Sequence, residues 1–160
     1  VEFDDYVAAR RTALVRSVVL MGCPRADAED VVQTALARCF RSWRRVQRAA
    51  APDAYVYRTL VNTYRDARAR RWHGEVPTDV LPEPAGVDPD TATGLAVRRV
   101  LADLPVELRE VLVLRYYADL SEREIAAALG VRPGTVKSRA SRALARLAAD
   151  PSLRSTDAAP

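Results

Sequence analysis

A chain of 160 residues with 49% hydrophobic and 29% charged residues suits one ordinary domain or two small helical ones, and is too apolar for global disorder. Aromatic residues make up 6% and there are only 6 glycines, which argues against a turn-rich sandwich or barrel. Ala, Leu and Arg dominate, all good helix formers, so the expected class is all-α. The net charge of +4 is modest, so its placement matters more than its size.

That placement is uneven. Residues 41–73 carry 9 basic and 2 acidic groups, residues 121–150 carry 6 and 3, and residues 74–97 between them carry 5 acids and no base. Two basic zones around an acidic connector are the pattern of two separate contacts with a polyanion. Only Lys137 among the 25 basic residues is lysine; the rest are arginines, whose planar fork of donors suits phosphates and guanine edges. Cys23, Cys39 and the single histidine, His73, have no metal-ligand spacing, so neither a disulfide scaffold, a zinc site nor any other cofactor is expected. Without a Gly-rich phosphate loop or nucleophile motif, the sequence does not read as an enzyme. A nuclease built from scattered carboxylates is the one enzyme class this reasoning leaves open. No apolar run approaches membrane-spanning length and no secretion signal is visible, so a cytoplasmic protein without membrane insertion is expected.

In chain order, Phe3, Val7, Leu14, Val18 and Met21 recur at helical spacing from about Glu2 to Met21, closed by Gly22 and Pro24. A second helix is expected to start at Asp27, with Val32, Ala35, Leu36, Cys39, Phe40 and Trp43 as one apolar stripe. The basic, alanine-rich stretch from Arg44 to Pro52 reads as a loop. Asp53 then caps a long helix to about Trp72, with Tyr57, Leu60, Val61, Tyr64 and Ala67 facing inward. Pro77, Pro82, Pro84, Gly86 and Pro89 mark an extended, solvated linker. Helices are expected again from near Thr93, with Leu95, Val100 and Leu101 inward, then from about Pro105 to Tyr117, Ser121 to Leu129, and Pro133 to Ala149. The last ten residues read as a frayed tail.

Leu120 to Leu147 is the most informative stretch. Ser121 with Glu124 three residues on is a capping box. Gly130 stands where a positive φ would end that helix, and Pro133 suits the first turn of the next. A short helix, a tight glycine turn and a second helix make a helix-turn-helix. On the second helix Val136, Ala140, Ala143, Leu144 and Leu147 form the buried side. Thr135, Ser138, Ser141, Arg142 and Ala145 lie opposite, with Lys137, Arg139 and Arg146 on the flanks. Small hydroxyls admit the helix to the major groove, Arg142 can fork onto a guanine, and the flanking cations suit phosphates.

This run resembles region 4 of extracytoplasmic-function sigma factors, in Val111-Leu112-Val113-Leu114-Arg115-Tyr116, Leu120-Ser121, Glu124-Ile125-Ala126 and Gly134-Thr135-Val136-Lys137-Ser138-Arg139. Response-regulator output domains use a similar helix-turn-helix, so the N-terminal half decides. There, Asp27-Ala28-Glu29-Asp30-Val31-Val32-Gln33 with Phe40 and Trp43 is similar to the family's region 2 core-binding helix. Tyr55 to Arg71, with Tyr57-Arg58 and Val61-Asn62, is similar to its promoter-melting helix. Val76-Pro77-Thr78-Asp79 resembles an actinobacterial sigma-E-like subgroup.

The resemblance implies two small helical domains joined by a flexible acidic linker: region 2 over 1–73, linker over 74–93, region 4 over 94–150, and a disordered tail over 151–160. It implies docking of Asp27, Asp30, Gln33, Thr34, Arg38 and Arg41 on the β′ clamp helices of core RNA polymerase, with region 4 against the β flap. The −10 element, melted and with a base extruded, would meet Arg44, Arg45, Arg48, Tyr55, Arg58, Asn62, Arg65 and Trp72. Arginine, amide and aromatic groups in one strip suit single-stranded DNA. The −35 duplex would meet Thr135, Lys137, Ser138, Arg139, Ser141, Arg142 and Arg146. It also implies an anti-sigma partner and a monomer when free. Tyr55 and Ser141 depart from the family's commoner, bulkier residues, which bears on promoter identity. The alternative is a one-component helix-turn-helix regulator that binds operators without replacing the sigma subunit.

Overall fold

The computed structural model describes residues 1–74 and 92–151. Residues 75–91 of the expected linker, with the Val76-Pro77-Thr78-Asp79 motif, and all but the first residue of the expected tail lie outside the described residues, as do the side chains of Trp72 and Leu95. Eight helices and no strand are present among the described residues: α1 (Phe3–Leu20), α2 (Arg25–Phe40), α3 (Trp43–Arg48), α4 (Pro52–Gly74), α5 (Ala92–Asp103), α6 (Val106–Tyr116), α7 (Glu122–Leu129) and α8 (Pro133–Ala149).

In the first half, α4 packs along α2 and touches α1 and α3. Leu14 and Val18 from α1, Val32, Ala35, Leu36 and Cys39 from α2, and Val56, Leu60 and Val61 from α4 are buried. Gly22 turns the chain out of α1 at φ +112°, a left-handed conformation that a residue with a side chain rarely adopts. Polar ties fix the helix pairs. The Tyr6 hydroxyl donates to Asp53 at 2.8 Å, and the Ser17 and Tyr57 hydroxyls share a bond at 3.3 Å. Burial, and then the bond to Asp53, push the Tyr6 phenol well above its usual range.

Two expectations change here. The stretch from Arg44 to Pro52 is not a plain loop: Trp43–Arg48 forms α3. Val46, its one fully buried residue, anchors the turn to the core, while Pro52 opens α4 instead of standing before it. Phe40, expected inside, is 61% exposed. It stacks on Phe3 at a centroid distance of 4.8 Å, and Trp43 packs edge-on against Phe3 at 5.3 Å, so the aromatic group caps the α1–α3 corner at the surface.

In the second half α8 packs on α6 and α7. The Ser121 backbone N–H donates to Glu124 Oε2 at 2.7 Å and the Glu124 N–H donates to Ser121 Oγ at 3.2 Å, completing the capping box. Gly130 has φ +70° and ends α7; Pro133 opens α8. Val136, Ala140 and Ala143 are buried, but Leu144, expected with them, is 43% exposed. Because the cap closes a helix of only 8 residues, Ser121→Ala is expected to lower stability by about 0.5–2 kcal/mol. A reduced urea midpoint with an unchanged slope is the signature, and an unshifted midpoint would show that the cap is redundant.

The halves are not separate. One continuous buried cluster runs from Leu14 and Val61 to Ile125 and Val136, with α4 of the first half lying directly on α7 of the second.

Candidate nucleic-acid interface

The face of α8 away from the core presents Ser138, Ser141 and Arg142 to solvent, with Lys137 and Arg146 also exposed and Thr135 and Arg139 half-buried. At 100° per residue, Arg142 lies about 120° around the helix from buried Val136. Its guanidinium has no ion-pair partner among the described residues. Ser138 Oγ donates to the Thr135 carbonyl at 3.3 Å. All seven residues expected at the −35 duplex are thus on one helix, Arg142 standing on the outer surface and Arg139 and Arg146 towards the same flank.

On α4, Arg58, Asn62 and Arg65 fall at i, i+4 and i+7 and are exposed, while Tyr55 at the start of the strip is half-buried. Arg44, Arg45 and Arg48 are exposed on α3, where Arg44 and Arg48 share one face across a helical turn. The strip is not uniformly open. Arg65 Nη2 donates to Glu110 Oε2 of α6 at 3.0 Å, and Glu110 is only 4% exposed at its side chain.

The polar face of α2 divides in two. Asp30, Gln33, Thr34 and Arg41 are exposed, and their side chains make no hydrogen bond or ion pair among the described residues. Asp27 and Arg38, on the flank towards α4, are engaged there: Asp27 pairs with Arg71, and Arg38 Nη1 donates to Thr63 Oγ1 at 3.0 Å and Asp66 Oδ2 at 3.3 Å. These two lock α2 to α4, leaving the other four as an open polar face.

Sequence reasoning missed Arg109 and Glu110. Arg109 Nε donates to the Leu101 carbonyl at 2.7 Å, Nη1 to Met21 at 3.1 Å, and Nη2 to Ala102 at 3.0 Å and Leu104 at 2.9 Å. The available signal was Glu110, a carboxylate placed three and four residues before buried Val113 and Leu114 and so on an apolar face.

Among the described residues no group of His, Cys, Asp and Glu is placed to hold a metal ion, and no helix is long and apolar enough to cross a membrane. Both cysteines are buried, and burial pushes the Cys23 thiol up to about 12.

Residues 6–74 match the family model for sigma-70 region 2, and residues 94–147 match the one for sigma-70 region 4. Over 98% of its length the chain is 41% identical to the RNA polymerase sigma-E factor of Streptomyces coelicolor, spanning 90% of that protein. The chain belongs to the sigma-70 family. Its extracytoplasmic-function branch is shown by 33% identity to the ECF RNA polymerase sigma factor SigM of Mycobacterium tuberculosis, over 91% of this chain and 75% of that protein. The fold agrees with that of the sigma factor RpoE of Bartonella quintana, solved in complex with the anti-sigma factor NepR, at a TM-score of 0.74 and 25% identity, covering 91% of this chain and 93% of that one. As a sigma factor the protein directs RNA polymerase to promoters, a regulatory task and not an enzymatic one. The one-component regulator is set aside.

Proposed function

We propose that this sigma factor grips core RNA polymerase through the open face of α2, formed by Asp30, Gln33, Thr34 and Arg41, with Asp27 and Arg38 holding that face in place by their bonds to α4. The melted −10 strand lies along Arg58, Asn62 and Arg65, reached from α3 by Arg44, Arg45 and Arg48. Tyr55 and Trp72 are the stacking groups at the two ends of that strip. In this reading α8 enters the −35 major groove. There Arg142 reads a guanine, Ser138, Ser141 and Thr135 line the groove floor, and Lys137, Arg139 and Arg146 hold phosphates. Region 4 rests on the β flap. The observation that carries this reading is the presence, in one chain, of an arginine on the outer face of a helix-turn-helix, without an ion-pair partner among the described residues, and a separate arginine–amide strip on α4.

The supporting relative from Bartonella is complexed with an anti-sigma factor, and we extend that to this chain: a protein partner covers these faces in the resting cell. The chain works in the cytoplasm, as a monomer when free, with domains at 1–73 and 94–150.

In vitro transcription with core polymerase of the native host, followed by mapping of start sites, tests the function. Initiation at discrete, asymmetric promoters is expected; uniform background at every template would refute it. Asp30→Ala is expected to weaken binding to core polymerase about five- to thirtyfold, the loss of one interface residue worth about 1–2 kcal/mol. Titration of labelled protein with core polymerase reads it, and an unchanged curve would remove Asp30 from the interface.

A further inference from the structure

Several arginines of the first half are matched by acids: Arg10 pairs with Asp53, Arg38 with Asp66 and Arg71 with Asp27. The α1–α2 corner is different. A cavity of about 230 Å³ opens there, with Val15 and Val19 at its floor and Arg11, Arg16, Arg25 and Glu29 around it. Helical spacing explains the gathering. Arg11, Val15 and Val19 stand at i, i+4 and i+8 on α1, Arg25 and Glu29 at i and i+4 on α2, and the two helices pack together.

Three guanidiniums share this space with one carboxylate. Glu29 is drawn to Arg11 at 3.8 Å, a loose pair between exposed groups. Arg16 and Arg25 are exposed and make no hydrogen bond or ion pair among the described residues. A fourth cation adds to the same field. Burial first, and then the charge of Arg25, hold Arg98 of α5 below the usual arginine range. Arg98 Nη1 is buried with no hydrogen-bond partner among the described residues. Like charges gathered in one place repel, and a buried donor left unbonded costs free energy, so the corner gains from an anion.

We propose that this cavity binds a small anion with two or three linked phosphates, inorganic or carried on a nucleoside. Guanidinium forks pair with phosphate oxygens two at a time, so three forks around one cavity favour linked phosphates over a single one. Pockets that enclose a whole drug-sized ligand run to about 300–1,000 Å³. This smaller one takes the phosphate chain and leaves any nucleoside outside. Around α2, Arg25 and Glu29 lie about 140° and 100° from Asp30. The site is therefore separate from the open polar face of that helix, and it does not depend on the roles assigned to that face or to DNA.

Isothermal titration calorimetry of the full chain tests this, at fixed ionic strength without magnesium, using sodium triphosphate, diphosphate, orthophosphate and ATP. Triphosphate and diphosphate should bind one to one with Kd below about 100 μM, and orthophosphate at least about tenfold more weakly. Arg16→Ala and Arg25→Ala should each weaken triphosphate about five- to thirtyfold, the loss of one charge-assisted contact at a partly solvated site. Arg123→Ala removes the same charge from the exposed surface of α7 and should stay within about twofold of wild type. Glu29→Gln should tighten binding about three- to tenfold by removing the one carboxylate, a gain that misfolding could not produce. ATP binding about as tightly as triphosphate supports a site that reads phosphates alone, and ATP at least about tenfold tighter supports a nucleotide site. No saturable binding up to about 1 mM triphosphate overturns the proposal. So does a loss in Arg123→Ala as large as in the cavity variants, or no gain in Glu29→Gln. Displacement of triphosphate by a DNA duplex that Arg16→Ala and Arg25→Ala bind less well would make the corner a polynucleotide contact, which also overturns it.

Discussion

Leu60→Ala is expected to destabilise the protein by about 2–5 kcal/mol, the range for truncating a fully buried leucine. Leu60 is 0% exposed in the longest helix, and by helical spacing it shares a face with Val56 and Thr63. That face meets α2, since Thr63 receives Arg38. The lost methyl groups leave a cavity between two helices that are also cross-tied by ion pairs, so the site cannot easily collapse. Against a total stability of about 5–15 kcal/mol, this is a large fraction. Both tryptophans, Trp43 and Trp72, stand in the first half, so fluorescence reports that half while circular dichroism at 222 nm reports all the helices. With one continuous core, both probes should shift together to the same lower urea midpoint. A loss under about 1 kcal/mol would show that the cavity closes at little cost. A dichroism curve lagging behind fluorescence would show that the halves unfold separately.

Local signals carried well from sequence to structure. The capping box, the positive-φ glycine and the first-turn proline each act within a few residues, so the helix-turn-helix was legible almost to its boundaries. The two misplaced apolar residues share a physical reason. Phe40 lies about 80° around its helix from Val32, and Leu144 about 80° from Val136. Both fall beyond the edge of the buried arc, which on that side reaches only about 40°, at Leu36 in α2 and at Ala140 in α8. Phe40 also ends α2, where the helical phase that seemed to continue into Trp43 is broken by a turn. The six residues of α3 are too few to show a period, and Val46 is the one of them that is fully buried.

What the sequence concealed is the contact between the two halves. Met21 and Arg109 are 88 positions apart, and Arg65 and Glu110 are 45 apart. Neither pairing has a local trace beyond a carboxylate on an apolar helix face. The candidate residues were identified one by one from their helix faces, but their division into free and engaged groups was not. On α2, the split between Asp30 and Asp27 depends on where α4 lies, and only packing sets that.

Arg142→Ala is expected to lower affinity for the −35 duplex by about 1–3 kcal/mol, roughly five- to 150-fold, with most of the loss at a single guanine. The size follows from how the side chain is held. Arg142 is exposed, free of any ion pair among the described residues, and mounted on a helix anchored by buried Val136, Ala140 and Ala143. Nothing in the protein must be broken for it to fork onto a base. Lys137→Ala should behave differently. Removing a phosphate contact weakens binding to every sequence alike and reduces the slope of log affinity against log salt by about 1. Fluorescence anisotropy on the cognate duplex and on single-base variants, across a salt series, separates the two. If Arg142→Ala weakened all duplexes equally and changed the salt slope, it would be a phosphate contact, and the base-reading role would pass to another residue on the same face of α8. Ser138 and Ser141 would be the residues to examine, since they flank Arg142 on the exposed surface and are short enough to let the helix backbone approach the groove floor.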